Sequence, residues 1–299
     1  MKRNKIKRTV RKVITSSFLL LCLSFCIVFN SYTQEEQKDN LNMKYQSLMF
    51  SIGNSNIYDS YLSPLQYKGS TYGLAYESIK MTKLLQNKVS LQHLIDLNVA
   101  NTYNPARNAK NYFASLDYRF GMHYRFNPMK DLFIFGGLQA NGLIGGIYNT
   151  RNTNNPATAK AHINLNVSGL ASYGFNVGKQ PFLIRYQIDL PVMGGMFSPQ
   201  FGQSYYEIYL DVDAQLYHFS SLHNHREIRN LLSLDIPLKH CTLRLSYSNW
   251  VYETEINDLN TKIISNSFCV GFSRNIFGVS GKKSKKYYNP FINAYSNIE

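Results

Sequence analysis

Ala114-Ser115-Leu116-Asp117-Tyr118-Arg119-Phe120-Gly121-Met122-His123-Tyr124-Arg125-Phe126 alternates without a break. Ala114, Leu116, Tyr118, Phe120, Met122, Tyr124 and Phe126 are apolar or aromatic, and the residues between them are polar, charged or glycine. Successive side chains of a strand point to opposite faces, so this strand has one apolar face and one charged face. It is also long. A globular strand averages about five or six residues, whereas a strand crossing a bilayer at a tilt needs about nine to eleven. Length and alternation together predict a membrane barrel whose polar face is turned to its lumen.

A barrel of this kind implies export, and the N-terminus has the form of an export signal. Lys2, Arg3, Lys5, Lys7, Arg8, Arg11 and Lys12 precede the apolar stretch Val13 to Phe29, which is short for a membrane helix. Ser31-Tyr32-Thr33 offers small residues at the two positions a signal peptidase reads, so residues 1–33 are expected to be removed, with cleavage after Thr33. Leu21 and Phe25 precede Cys22 and Cys26, which does not fit a lipidation site. The full chain has 32 basic and 18 acidic residues; removing the seven basic residues of the signal leaves 25 against 18, a net charge of +7. That balance, with no helix-turn-helix, zinc or RNA-binding signature, excludes nucleic acid as a partner.

The same period recurs in Val89 to Val99, Ala161 to Phe175, Phe182 to Leu190 and Tyr206 to Leu216. It recurs more weakly in 45–53, 72–81, 132–148, 228–236, 241–251 and 263–277. The connections at 54–70, 101–111 and 149–160 read as long external loops, and those at 85–88, 127–131, 177–181 and 237–240 as short periplasmic turns. Tyr124, Phe126, Tyr173, Phe175 and Phe182 flank such turns and form the expected periplasmic girdle. About eleven strands are visible, single-chain barrels take an even number, and a further strand is expected between Pro191 and Phe219. The fold class is therefore all-β: a transmembrane antiparallel up-and-down β-barrel, with twelve strands expected and ten as the alternative. The expected division is signal peptide 1–33, N-terminal periplasmic segment 34–43, barrel 44–277, and a basic and aromatic periplasmic tail 278–299. The tail carries Lys282, Lys283, Lys285 and Lys286, followed by Tyr287, Tyr288, Phe291 and Tyr295.

The polar faces carry Asp96, Asp117, Arg119, Arg125, Arg185, Asp189, Glu207, Asp211, Asp213, Asp235 and Arg244. In a narrow lumen these charges are expected to pair with one another, because buried unpaired charge is costly. The alternative use of such residues is a selective pore, and Glu207, Asp211 and Asp213 also have the chemistry of a hard-cation site. Outer-membrane lipid hydrolases use a His-x-Ser pair, and His218-Phe219-Ser220 has that spacing. The next residue is Ser221, where the phospholipase and deacylase patterns continue with asparagine, so no catalytic residue is assigned. His223 and His225 alone do not make a metal site, and Gly145-Gly146 and Gly194-Gly195 lack nucleotide-binding context, so no metal or cofactor is expected. Cys241 and Cys269 fall on opposite parities, and no disulfide is expected between them.

Asn56-Ile57-Tyr58-Asp59-Ser60-Tyr61-Leu62-Ser63-Pro64-Leu65 and Met196-Phe197-Ser198-Pro199-Gln200-Phe201-Gly202-Gln203-Ser204-Tyr205-Tyr206-Glu207 resemble segments of an uncharacterised outer-membrane barrel family of Bacteroidota, the domain of unknown function family 3316. The resemblance implies location and fold and carries no reaction. In both segments Tyr58, Asp59, Tyr61, Ser204 and Glu207 are candidates for a shared external surface. The function expected is a non-enzymatic barrel of the bacterial outer membrane with a narrow or plugged charged lumen, passing small solutes or serving as a surface scaffold. The alternatives are a lipid hydrolase using His218 and Ser220, and an accessory of secretion or envelope assembly. Expected partners are outer-membrane lipid, the barrel-assembly machinery, and lipopolysaccharide phosphates on Arg107, Lys110, Arg151 and Lys160.

Overall fold

A computed structural model describes residues 43–277 except 87, 130, 211–214 and 239–240. The expected signal peptide, nearly all of the N-terminal segment and the tail at 278–299 lie outside the described residues. The elements are β1 (Met43–Asp59), β2 (Ser63–Met81), β3 (Val89–Tyr103), β4 (Lys110–Met129), β5 (Leu132–Asn149), β6 (Ala157–Val177), β7 (Gln180–Phe197), α1 (Tyr205–Leu210), β8 (Tyr217–Ser221), β9 (His225–Pro237), β10 (Thr242–Ile256) and β11 (Leu259–Phe277). Ten of the strands close an antiparallel ring, running from β1 to β7 and on through β9, β10 and β11 back to β1, with β8 added on β7. The expectation of twelve strands is corrected to the alternative of ten.

The miscount has a local cause at Pro191. A proline gives no backbone N–H to a ladder, and here it sits beside a bulge. On β6, Asn166 pairs with Pro191 and Leu165 with Met193, so Val192 is skipped. Parity then switches, and buried positions pass from Arg185, Gln187 and Asp189 to Met196. The other flank of β7 is shared. Its lower part pairs with β9 up to Asp189 and Arg229, and its upper part pairs with β8 from Met193 and Ser221. The expected strand at 206–216 is also corrected, because Tyr205–Leu210 is helical.

Outward rows fix the membrane level. On β9, β10 and β11 the charged row Arg226, Glu253 and Lys262 stands above Ile228, Val251 and Ile264. Below come Asn230, Asn249 and Asn266, then Leu232, Tyr247 and Phe268, Leu234, Leu245 and Val270, and Ile236, Leu243 and Phe272. Five rows at two residues each, tilted as barrel strands are, span about 25 Å, the height of an outer-membrane apolar band. The asparagine row is satisfied within itself: Asn230 donates to Asn249 at 3.0 Å and Asn249 to Asn266 at 2.9 Å. Tyr186 and Tyr247 donate to Asn230 and Asn266, both at 2.7 Å.

Above the band the polarity reverses while the period of two continues. Ile57, Phe113, Ile147, Trp250, Tyr252 and Ile263 pack inside the barrel, and Asn54 and Glu255 are exposed outside it. The stretch expected as a long loop at 54–70 is therefore mostly strand, with β1 and β2 joined by a turn at 60–62. Likewise the loops expected at 101–111 and 149–160 shrink to 104–109 and 150–156. Asn257 and Asp258 both have positive φ, 55° and 60°, as a two-residue type I′ hairpin requires.

Closure of the ring rests on small inward residues where β1 meets β11. A Cβ added at Gly53 would fall inside the contact envelope of the Asn266 carbonyl oxygen and crowd Ser267. Gly53→Val is expected to prevent closure, read as loss of the heat-modifiable compact band on a gel. Gly136→Ala, where an added Cβ meets nothing within 4 Å, is expected to keep it.

Candidate functional site

The inward face carries charged and amide side chains among the buried Met49, Ile79, Leu94, Phe135 and Leu170, and its charges form two layers. In the lower layer Arg244 makes a two-pronged bond to Asp235, 2.6 Å on each side, and donates to Glu77 at 2.7 Å. Arg185 donates to both oxygens of Glu77, at 2.7 and 2.8 Å. Gln92 also donates to Glu77, at 2.6 Å, and links to Gln187 at 2.8 Å. The Arg244 guanidinium lies 4.8 Å from the centre of the Tyr45 ring. Arg185 and Arg244 are among the most completely buried large side chains. Two carboxylates face two guanidinium groups here, so this layer is neutral.

The layer above is built on Arg119 and Arg229. Arg119 binds Asp96, Asp117 at 3.1 Å and Asp189 at 3.0 Å. Arg229 binds Asp117 at 2.6 Å and Glu227 at 2.5 Å, and stacks 4.6 Å from the Trp250 ring centre. Trp250 donates to Glu227 at 2.7 Å, and Asn141 donates to Asp117 at 3.1 Å. Across both layers the carboxylates Glu77, Asp96, Asp117, Asp189, Glu227 and Asp235 outnumber the four arginines by two. His225 and His162 stand beside the surplus, 3.2 and 3.8 Å from Glu227. Bidentate and multiply bonded geometry of this kind is what repays the desolvation of buried charge.

Of the residues expected in the lumen, Asp96, Asp117, Arg119, Arg185, Asp189, Asp235 and Arg244 thus meet in one network. Arg125 stands toward the β4–β5 turn, half-buried with its guanidinium 6.0 Å from the Phe133 ring centre. Asp211 and Asp213 lie outside the described residues. Glu207 is corrected: it is exposed on α1, not in the lumen. Glu77, Glu227, Arg229, His162 and His225 are further lumen residues, and His123, on the polar face of β4, is buried there as its alternation predicts. The signal for Glu227 and Arg229 was present, because stepping back by twos from Asp235 through Ser233 reaches both. His225 opens β9 and is buried.

The two external motifs come together at the mouth. Asp59 accepts from the Tyr61 backbone N–H at 3.0 Å and binds Lys160 at 2.7 Å. Lys160 also donates to Thr261 at 2.7 Å, which ties its ammonium into the mouth. The Tyr61 hydroxyl donates to the Gln203 carbonyl at 2.7 Å, and its ring meets Tyr205 edge-on. Tyr205 in turn accepts the Ala159 N–H at 2.6 Å, where β6 runs on past the end of β7. Ser204 and Glu207 form a reciprocal cap: Ser204 N–H donates to Glu207 at 2.7 Å, and Glu207 N–H donates to the Ser204 hydroxyl at 3.2 Å. The Ser204 backbone and hydroxyl donors hold the Glu207 carboxyl below the usual carboxylate range. The Ser-x-x-Glu spacing was the helix signal that period-two reading passed over.

His218 and Ser220 are joined to other groups. The Ser220 hydroxyl donates to Asn164 at 3.3 Å, and His218 Nε2 lies 2.9 Å from Asn257 Nδ2 and 3.0 Å from the Gln215 carbonyl. Cys241 and Cys269 are not joined in a disulfide.

The family model for proteins of unknown function DUF3316 matches residues 18–283. No curated protein matches the chain in sequence. Solved structures with a similar fold include the transport unit of the autotransporter AIDA-I from Escherichia coli, 8% identical over 83% of this chain and 94% of that one, with a TM-score of 0.47. The outer membrane protease OmpT from Escherichia coli is 5% identical over 82% and 99%, with a TM-score of 0.46. An outer membrane channel from Pseudomonas putida F1 is 7% identical over 81% and 100%, with a TM-score of 0.34.

The network makes a stability prediction. Arg244→Ala strands Asp235 and half of Glu77, and is expected to cost about 3–5 kcal/mol in a reversible urea titration of the lipid-inserted barrel. Lys262→Ala, which removes only an exposed partner 3.7 Å from Glu253, is expected to cost less than about 1 kcal/mol.

Proposed function

We propose that this chain, which belongs to the DUF3316 family, is an outer-membrane β-barrel closed across its lumen by its own side chains, acting without catalysis as a scaffold through its surface and external mouth. The observation that carries the reading is the fully buried chain Asp235, Arg244, Glu77 and Arg185, which links β9, β10, β2 and β7 across the barrel. A pore lined with charge keeps those charges hydrated; here they bond to one another. The cavity beside Asp96, Arg119 and Arg229 has a volume of about 70 Å³, room for a few waters and no hydrated solute.

The same faces support an outer-membrane location. Leu97, Leu116, Leu138, Ile144 and Ile163 are exposed outside the barrel while Arg185 and Arg244 are sealed within it, the reverse of a barrel surrounded by water. An even number of strands in the ring agrees with the outer membrane, and the basic-apolar leader supplies the route, with removal after Thr33. A hydrolase is less well supported, since Ser220 and His218 bond to Asn164 and Asn257 rather than to each other.

Single-channel recording in planar bilayers tests the reading. Wild-type barrel is expected to give no stable open level in molar KCl, and a sustained ohmic conductance would contradict it. Acyl release from labelled phospholipid that disappears in Ser220→Ala would contradict the non-catalytic part.

A further inference from the structure

We propose that the external ends of β2 to β6 bind a phosphate-bearing lipid of the outer leaflet, its acyl chain in a groove on the outer wall and its phosphate on a basic rim. The inference rests on the outer-membrane reading, which makes lipid the surroundings of that wall.

Across these strands Tyr72, Val99, Ala114, Gly146 and Ala159 stand in one outward row, and Tyr112 pairs with Tyr148 in the next. Ala114, Gly146 and Ala159 leave a floor without bulk, and Tyr72, Tyr112 and Tyr148 rise around it, bordering an open groove of about 780 Å³ with an almost wholly apolar lining. Tyrosines at this level are at home among lipid headgroups, with the ring in apolar surroundings and the hydroxyl in water.

One step further out, Lys68 pairs with Tyr103 and Tyr103 with Lys110. Lys110 Nζ lies 5.3 Å from the centre of the Tyr103 ring. Arg107 and Arg151 are exposed in the two adjoining loops, and Arg151 reaches Asn108 at 3.5 Å. Residues 60–76, 97–116 and 132–188 contain no aspartate or glutamate, so nothing in these stretches cancels the rim. The opposite flank mixes Arg226 and Lys262 with Glu253, Glu255 and Asp258. A one-sided cationic rim directly above an apolar groove fits a ligand that is anionic at one end and hydrocarbon at the other.

Native mass spectrometry of the detergent-purified barrel, incubated with bisphosphorylated lipid A, measures the site. Wild type is expected to retain one lipid. Combined Lys68→Ala, Arg107→Ala, Lys110→Ala and Arg151→Ala should lower retention roughly tenfold or more. Ala114→Trp, which fills the groove and leaves the rim intact, should lower it as well. Arg226→Ala with Lys262→Ala, on the other flank, should not. Equal retention of the lipid stripped of phosphates, displacement by millimolar inorganic phosphate, or unchanged retention in both groove and rim variants would overturn the proposal. A barrel that conducts yet keeps these differences would refute the closed lumen and leave the lipid site standing; a closed barrel without them does the reverse.

Discussion

Charge buried at membrane depth has no water to turn to, and this constraint organises the inside of the barrel. Asp235, Glu77 and the other carboxylates are held by arginines that reach across from facing strands, and a lone ion in the same place would cost several kcal/mol. Arg244 spans β10 to β2 as well as to its neighbour on β9, and Arg119 reaches from β4 to β3 and β7. These bonds tie opposite sides of the ring together. Stability and closure are consequences of one arrangement.

A second constraint operates where the strands leave the bilayer. Outside the lipid, the outer wall can be polar and the interior can be a conventional apolar core. Ile57, Phe113, Ile147 and Trp250 fill the mouth, while Asn54 and Glu255 face out. The external loop with α1 is then anchored on that core through Tyr61 and Tyr205. The barrel is thus charged inside at membrane depth and apolar inside above it.

That reversal explains what could be read from sequence. The strands through the bilayer were legible because both faces are demanded there: lipid outside requires Leu116 and Met122, and the lumen accepts Asp117 and Arg119. Beyond the membrane the same strands carry Asn54 and Asn56 where apolar residues had been the rule, so their alternation looked like loop. Pro191 and the bulge at Val192 shifted the parity of β7, and Ser204 with Glu207 capped a helix in a stretch that alternates by chance. Membership of the lumen was legible for residues on strongly alternating strands. Their pairing was not, because strand register and barrel closure decide which arginine faces which carboxylate. The acid-free rim was visible as composition but had no location until β2 to β6 were placed side by side.

Cys241 and Cys269 report directly on whether the lumen is sealed. Cys269 is on the inward face of β11 and 5% exposed, whereas Cys241 is half-buried in the turn before β10. The decisive measurement is labelling of the lipid-inserted barrel with a membrane-impermeant maleimide, located by peptide mapping. A sealed lumen predicts modification of Cys241 alone in the folded barrel and of both thiols after denaturation. Modification of Cys269 in the folded barrel at a rate comparable to Cys241 would contradict the account.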